Sequence, residues 1–182
     1  HHINYKNYNT VKAVPYDMPV SGYQSKGVSN LRLWKAVSAG IDMDSFNRGD
    51  YLSALRQNSM TEVISKVLYP NDSHMEGKLL RLRQQYFLVA ASVGDIVNSH
   101  MSTYGTLDNL PDKVAIHLND THPALCVPEL MRILLDTYSY SWEDAWDVTV
   151  KVCSYTNHTV MPEALEMWNE DLFRLKLPRI HE

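Results

Sequence analysis

Val114-Ala115-Ile116-His117-Leu118, running straight into Asn119-Asp120-Thr121-His122-Pro123, is the stretch that decides how this chain folds. A short, nearly continuous apolar run is the signature of a β-strand covered on both faces, and its end in Asn, Asp, Thr and Pro is turn chemistry. The arrangement recurs: Val148 to Tyr155 is a second apolar run, Thr156-Asn157-His158-Thr159 follows it, and Pro162-Glu163-Ala164-Leu165 opens a helix. Between the runs the sequence predicts a helix around Pro128 to Tyr138, with Pro128 in its first turn. A further helix is capped by Ser141, its Glu143 and Asp144 set at the positive end of the helix dipole. Strands alternating with helices predict βαβ connections and a parallel sheet, hence an α/β fold.

In open parallel sheets ligands bind in the crevice at the carboxyl ends of the strands. Asp120, Thr121, His122, Asn157, His158 and Thr159 are expected to face that crevice. Such side chains orient a hydroxyl-rich ligand, and the helix starts that follow offer N–H groups to an anion. Plainer roles compete, since Asp120 and Thr121 suit turns or caps and His117, inside the strand, suits a satisfied boundary histidine. His122 and His158 lie after strands and are the stronger candidates. The residues alone leave two other readings open. One is a metal-dependent hydrolase with Asp120, His122 and His158 as ligands, although no HxH, HExxH or CxxC spacing occurs. The other is a non-catalytic dimerisation or interaction module. No Gly-rich phosphate loop, Ser elbow or Cys/His nucleophile pair is present.

Upstream, Asp50 is a predicted N-cap for a helix over Tyr51 to Leu68. Met60, Val63, Ile64, Val67 and Leu68 fall within about 140° of arc and form its expected core stripe. Tyr51, Leu52, Ala54 and Leu55 break that phase, so the two ends of the helix are expected to meet different neighbours, or one end a partner. After a Tyr69-Pro70-Asn71-Asp72-Ser73 loop, Leu79, Leu82, Tyr86, Val89, Val93 and Ile96 trace the core stripe of a helix from about Lys78 to Met101. Gly105 to Asp112 reads as a polar turn region. The first forty residues read as extended chain, with Val11 to Val14 a strand broken by Pro15. Leu31 to Val37 reads as a strand with one face buried, and Arg32 and Lys35 as solvated.

Composition bounds the remaining possibilities. The 182 residues are 45% apolar and 21% charged, as in folded soluble domains, and 17 Lys+Arg against 21 Asp+Glu leave a net charge of −4. No basic field exists to hold nucleic acid, and no apolar run approaches the roughly 20 residues of a membrane span. Cys126 and Cys153 sit in apolar segments and make no disulfide framework, favouring a reducing, cytoplasmic setting. The chain lacks an initiator Met, opens His1-His2 as a tag remnant or native residues, and stops at Arg179-Ile180-His181-Glu182, so a segment of a longer protein is expected.

Five stretches, in order and across nearly the whole chain, carry a family resemblance: Ala13-Val14-Pro15-Tyr16-Asp17-Met18-Pro19-Val20, Leu31-Arg32-Leu33-Trp34, Val67-Leu68-Tyr69-Pro70-Asn71-Asp72, Leu118 to Pro123, and Tyr155 to Glu166. They resemble the glycogen/starch/maltodextrin phosphorylases. The resemblance implies that residues 1–182 are a fragment of the N-terminal domain of a GT-B type glycosyltransferase. It would be a partial Rossmann-like domain with a long projecting helix over 51–68 and strand-helix units over 114–182 that carry an active-site wall. It further implies use of phosphate to release the terminal α-1,4-linked glucose of a glucan as glucose 1-phosphate. Pyridoxal 5'-phosphate assists through its phosphate group, its lysine lying outside these residues. By position, His158 resembles the histidine that contacts the 6-hydroxyl of the reacting glucose, its carbonyl near the developing cation. Asp120 and His122 resemble the pair beside the anomeric face and the neighbouring pocket. Asp72 lies on the loop similar to the family's gate, where Ser73 departs from the Asn of some members. Arg81, Thr159, Glu163 and Ala164 match positions near the same cleft. Tyr51 to Lys66 resembles the helix that reaches the second subunit of a homodimer. The family's phosphate-binding cations lie elsewhere, so the segment alone is expected to be inactive and to expose apolar surface.

Overall fold

A computed structural model describes residues 3–6 and 8–182, so His1-His2 lie outside the described residues. The fold is mixed α/β, with two small sheets and one long helix, and it divides into two compact units meeting in sequence at Phe87 and Leu88.

In the unit Tyr5–Phe87, β1 (Val11–Ser21) and β2 (Val28–Ser38) form an antiparallel ribbon in the register Val11↔Ser38 to Ser21↔Val28. The expected break at Pro15 does not occur. Pro15 and Pro19 are an even number of residues apart, so both ring nitrogens point to the same side of the strand. In a two-stranded ribbon one side of each strand has no partner to accept from it. The expectation of one buried face on β2 also fails at the far end, where Leu31 and Leu33 are exposed, because no third strand or helix covers that end among the described residues of the unit. Ala36 is buried where β2 meets α2, and its N–H donates to Ser65 Oγ at 2.9 Å. Arg32 is ion-paired, where a solvated side chain was expected, its guanidinium meeting both Asp17 oxygens at 2.7 Å. That guanidinium holds the Asp17 carboxyl down at about 2, from an ordinary 3.8. A folded pKa below the unfolded one gives stability that is present above about 3.8 and lost as pH falls toward about 2. Titration of Arg32→Ala by NMR should return Asp17 to near 3.8, and an unmoved midpoint would assign the depression to something else.

The same unit contains α1 (Met43–Asn47), capped by Asp42, and α2 (Tyr51–Lys66), where the Asp50 carboxylate accepts from the Ser53 N–H as expected. The expected stripe on α2 needs correction. Ile64 is buried, but Met60, Val67 and Leu68 are exposed, and the helix ends at Lys66. The covered side is instead Ala54, Thr61 and Ile64, with Ser65 and Asn58 hydrogen-bonded to β2, because small and polar side chains let the ribbon approach closely. Tyr51, Leu52 and Leu55 point into solvent. The helix α3 (Met75–Tyr104) contains the expected Lys78 to Met101 and runs on from this unit into the next.

The other unit comprises residues 88–182 with Ile3 and Asn4. Its elements are the rest of α3, α4 (Leu110–Lys113), β3 (Ile116–Asn119), α5 (Cys126–Arg132) and a wide π turn (Ile133–Thr137). They continue with α6 (Trp142–Val152), β4 (Cys153–Thr156), α7 (Glu170–Lys176) and α8 (Pro178–His181). As expected, β3 and β4 pair in parallel, Ile116↔Cys153 to Asn119↔Thr156, across a helical connection. The core gathers Val89, Val93 and Val97 of α3 with Leu118, Leu130, Leu134, Ala145, Val148 and Val152. Leu130 and Leu134 are wholly buried, each worth about 1.5–3 kcal/mol.

Four local expectations fail in this unit. Val148 to Val152 belongs to α6, leaving a four-residue β4. Only one face of β3 is covered: Leu118 is buried in the core cluster while His117 and Asn119, on the opposite face, are exposed. Pro162–Ala164 is a single 3-10 turn and does not open a longer helix. Gly105 to Asp112 is not wholly polar, for Leu107 and Leu110 enter the core. Exposed apolar side chains are plentiful, as expected, Val160 being 98% exposed. Among the described residues no helix is long and apolar enough to cross a membrane.

Candidate functional site

The candidate site grows from the parallel register. β3 and β4 stop level with each other at Asn119 and Thr156, and the ladder goes one bond further, the Asp120 N–H donating to the Thr156 carbonyl at 3.1 Å. To make that bond and still leave the strand, Asp120 adopts φ 99°, a left-handed value that costs a non-glycine residue roughly 1–3 kcal/mol. The turn swings its carboxylate back onto the next residue, where Oδ1 accepts from both the N–H and the hydroxyl of Thr121. The Thr121 N–H, then the Thr121 hydroxyl, and last the charge of His122 and His158 when protonated, hold this carboxyl below the usual carboxylate range. Asp120 therefore stays ionised at neutral pH beside both imidazoles.

His158 reaches the same place from β4. Its Nε2 lies 2.6 Å from Asn119 Oδ1. An amide oxygen only accepts, so Nε2 carries a proton, and in the neutral imidazole Nδ1 then presents the lone pair. The loop that delivers His158 is self-braced: Asn157 Nδ2 donates to the Thr159 carbonyl at 2.6 Å, and the Thr159 N–H donates back to Asn157 Oδ1 at 3.1 Å. The Thr159 hydroxyl accepts from the Met161 N–H at 3.0 Å, so it is engaged in shaping the turn. His117 is not buried. It lies exposed with Nε2 2.7 Å from the Thr156 hydroxyl, fixing the sheet surface beneath the site.

His122 and His158 each lie close enough for their charge to be felt at the Asp120 carboxyl, and Thr159 takes part in the bracing of the His158 loop. Glu163 and Ala164 follow on the exposed 3-10 turn. Asp72 and Arg81 belong to the other unit. Asp72 is exposed on the loop before α3, and the Arg81 guanidinium stands 5.9 Å from the centre of the Tyr69 ring. Sequence reasoning passed over Asn119, which sets the tautomer of His158. Strand register was the available signal, since Asn119 pairs with Thr156 two residues before His158.

Among the described residues no group of three His, Cys, Asp or Glu is placed to hold a metal ion, so the hydrolase alternative has no ligand set. Comparison with known families matches residues 1–182 to the family described as Carbohydrate phosphorylase. The chain belongs to the carbohydrate phosphorylase family. It is 52% identical over 178 residues to the muscle form of glycogen phosphorylase from Ovis aries, covering 93% of this chain and 21% of that protein. It is 51% identical over 180 residues to the glycogen phosphorylase of Bacillus subtilis (strain 168), covering 99% of this chain and 22% of that protein. The brain form from Homo sapiens is 51% identical over 178 residues, with 93% and 21% covered. The chain therefore spans about a fifth of the length of these relatives.

Proposed function

We propose that this chain is part of an α-glucan phosphorylase that transfers the terminal α-1,4-linked glucose of glycogen or maltodextrin to phosphate, giving glucose 1-phosphate. It supplies a partial Rossmann-like portion of the N-terminal half of a GT-B type enzyme. The observation that carries the reading is the parallel strand pair whose ladder runs on into Asp120 and whose Asn119 fixes His158, in a chain about half identical to glycogen phosphorylases along its length.

His158 Nδ1 accepts a hydroxyl of the reacting glucose while Asn119 keeps the ring from turning. The fixed Asp120 carboxylate opposes the positive charge that develops on a sugar ring as its glycosidic bond breaks, an electrostatic contribution that needs no reorganisation at the moment of reaction. Asp72, on its exposed loop, serves the gate, and Arg81, Thr159, Glu163 and Ala164 line the approach to the glucan. In the parent, pyridoxal 5'-phosphate supplies proton transfer to the substrate phosphate. The residues here do not suit that cofactor: in the unit of the site Lys151 is paired with Asp147 at 2.6 Å, Lys113 stands over the Tyr104 ring, and Lys176 is exposed at the end of α7. Its lysine is assigned outside this chain, and no step is routed through it. The exposed Tyr51, Leu52, Leu55 and Met60 of α2 suit a homodimer contact through Tyr51–Lys66. A cytoplasmic setting suits two cysteines that are both free.

Phosphate-dependent release of glucose 1-phosphate from maltodextrin tests the proposal. The parent enzyme should release it and the 182-residue chain alone should not. A parent inactive on every glucan would overturn the activity, and a productive isolated chain would overturn the assignment of the phosphate and cofactor groups to other residues.

A further inference from the structure

Asn119 and Thr156 stand opposite each other as the last partners of the parallel register, and each holds a histidine from the other side of the ladder. Asn119 Oδ1 lies 2.6 Å from His158 Nε2, and the Thr156 hydroxyl lies 2.7 Å from His117 Nε2. The chemistry above uses only the first of these crossed bonds. Thr156 is nevertheless the point from which both site loops hang. Its carbonyl accepts the Asp120 N–H at 3.1 Å, and the peptide that follows it opens the Asn157–Thr159 brace that delivers His158. The orientation of this one residue therefore sets Asp120 against His158. Its carbonyl also pins Asp120 at φ 99°, a backbone conformation that persists only where the surroundings over-determine it. The branched Cβ of Thr156 stiffens its rotamer, and His117 engages the hydroxyl that would otherwise turn to water.

We propose that His117 and Thr156 are a pair of positioning residues that hold the Asp120 carboxylate in place against the His158 imidazole, an inference that rests on the phosphorylase reading of the site. Neither side chain touches the glucan or phosphate. His117 fixes the Thr156 side chain, Thr156 fixes the turn at Asp120, and Asn119 completes the set by fixing His158. The two histidines that flank Asn119 and Thr156 thus have different roles: His158 presents a ring nitrogen to substrate, and His117 locks the strand end. His117 is exposed, on the face of β3 opposite the buried Leu118, so its removal opens no cavity in the core. What it removes is one cross-strand bond, and with it the restraint on a strained turn. A shift of a fraction of an ångström between a carboxylate and the sugar it must oppose lowers the rate without weakening ground-state binding.

The test combines maltodextrin phosphorolysis by the parent enzyme with amide hydrogen exchange of the same protein. His117→Ala, and Thr156→Val, which keeps the carbonyl and the branched Cβ but loses the hydroxyl, should each lower kcat roughly tenfold with KM for glucan unchanged. The double variant should be no worse than either single one, because all three lose the same bond. His117→Gln, whose side-chain amide reaches the same point as Nε2, should restore kcat. Exchange at the Asp120 amide should quicken roughly tenfold in the Ala and Val variants and return to the wild-type rate in the Gln variant, while the core amides of Leu130 and Leu134 stay unchanged. Additive losses, a raised KM with kcat intact, no rescue by Gln, or an Asp120 amide that exchanges at the wild-type rate in His117→Ala would each overturn the proposal. Faster exchange at Leu130 and Leu134 as well would make the pair a general support of the fold and overturn it too. A wild-type parent that releases no glucose 1-phosphate would instead remove the phosphorylase reading, and the exchange rates alone would then decide whether His117 and Thr156 hold Asp120.

Discussion

In the intact enzyme proposed above, His158→Ala should lower turnover by roughly 10²- to 10³-fold, the cost of deleting one preorganised hydrogen-bonding group from a transition-state environment. The expected size follows from how tightly the ring is specified. Asn119 Oδ1 at 2.6 Å fixes which nitrogen is protonated, and the Asn157–Thr159 bracing fixes the backbone that carries the ring. Ala keeps that backbone and removes the acceptor, and because His158 is exposed the substitution leaves no cavity in the core. The melting transition should therefore stay in place while kcat falls. Asn119→Leu, which leaves the imidazole but frees it to turn, should produce a smaller loss and raise the KM for glucan. Near-normal turnover in His158→Ala would remove His158 from the chemistry, and an equal loss in melting temperature would make its role structural.

The sequence exposed the centre of this site better than its supports. Asp120, His122 and His158 were legible because each follows an apolar run, and strand ends are where an open parallel sheet leaves room for ligand. Asn119 was not, because a polar residue in the last position of a strand reads as the beginning of a turn, and its value lies in a partner distant in sequence. The run Val148 to Tyr155 misled for a different reason. Ala145, Val148, Thr149 and Val152 bury one helical face, while Trp146 and Val150 stand about half exposed on the other, so an amphipathic helix looks continuously apolar. On β2, Leu31 and Leu33 alternate as a half-buried strand should, yet they are exposed. Periodicity records which face is meant to be covered, and here nothing in the unit covers it. Pro15 was read as a break because proline is costly inside a sheet, a cost that vanishes on the unpaired side of a two-stranded ribbon.

Gly77→Ala and Gly94→Ala, the same substitution on the same helix, should have opposite effects on stability. Gly77 lies in the first turn of α3, and a Cβ there would sit 1.8 Å from the carbonyl oxygen and 2.8 Å from the carbonyl carbon of Asn71. Both obstructing atoms are backbone, so no rotamer change relieves the overlap. Either the Asn71–His74 loop must withdraw or the first turn of α3 must open. The loop resists withdrawal, because Pro70 fixes its entry, the Ser73 N–H is bonded to Asn71 Oδ1 at 2.9 Å, and His74 Nδ1 accepts the Gly77 N–H at 3.0 Å. Overpacking of this kind costs about 1–3 kcal/mol, more than the gain in helix propensity. At Gly94 a Cβ would meet nothing within 4 Å, so the helix should gain roughly 0.5–1 kcal/mol. Thermal melts of the two variants read the sign directly, and amide hydrogen exchange should accelerate over residues 71–78 in Gly77→Ala alone. Because Asp72 sits on the displaced loop, that variant in the parent should also raise the KM for glucan, whereas Gly94→Ala should not. Matching melts for the two variants would show that the loop yields freely, and with it would go the idea that Gly77 exists to let Asn71 approach α3.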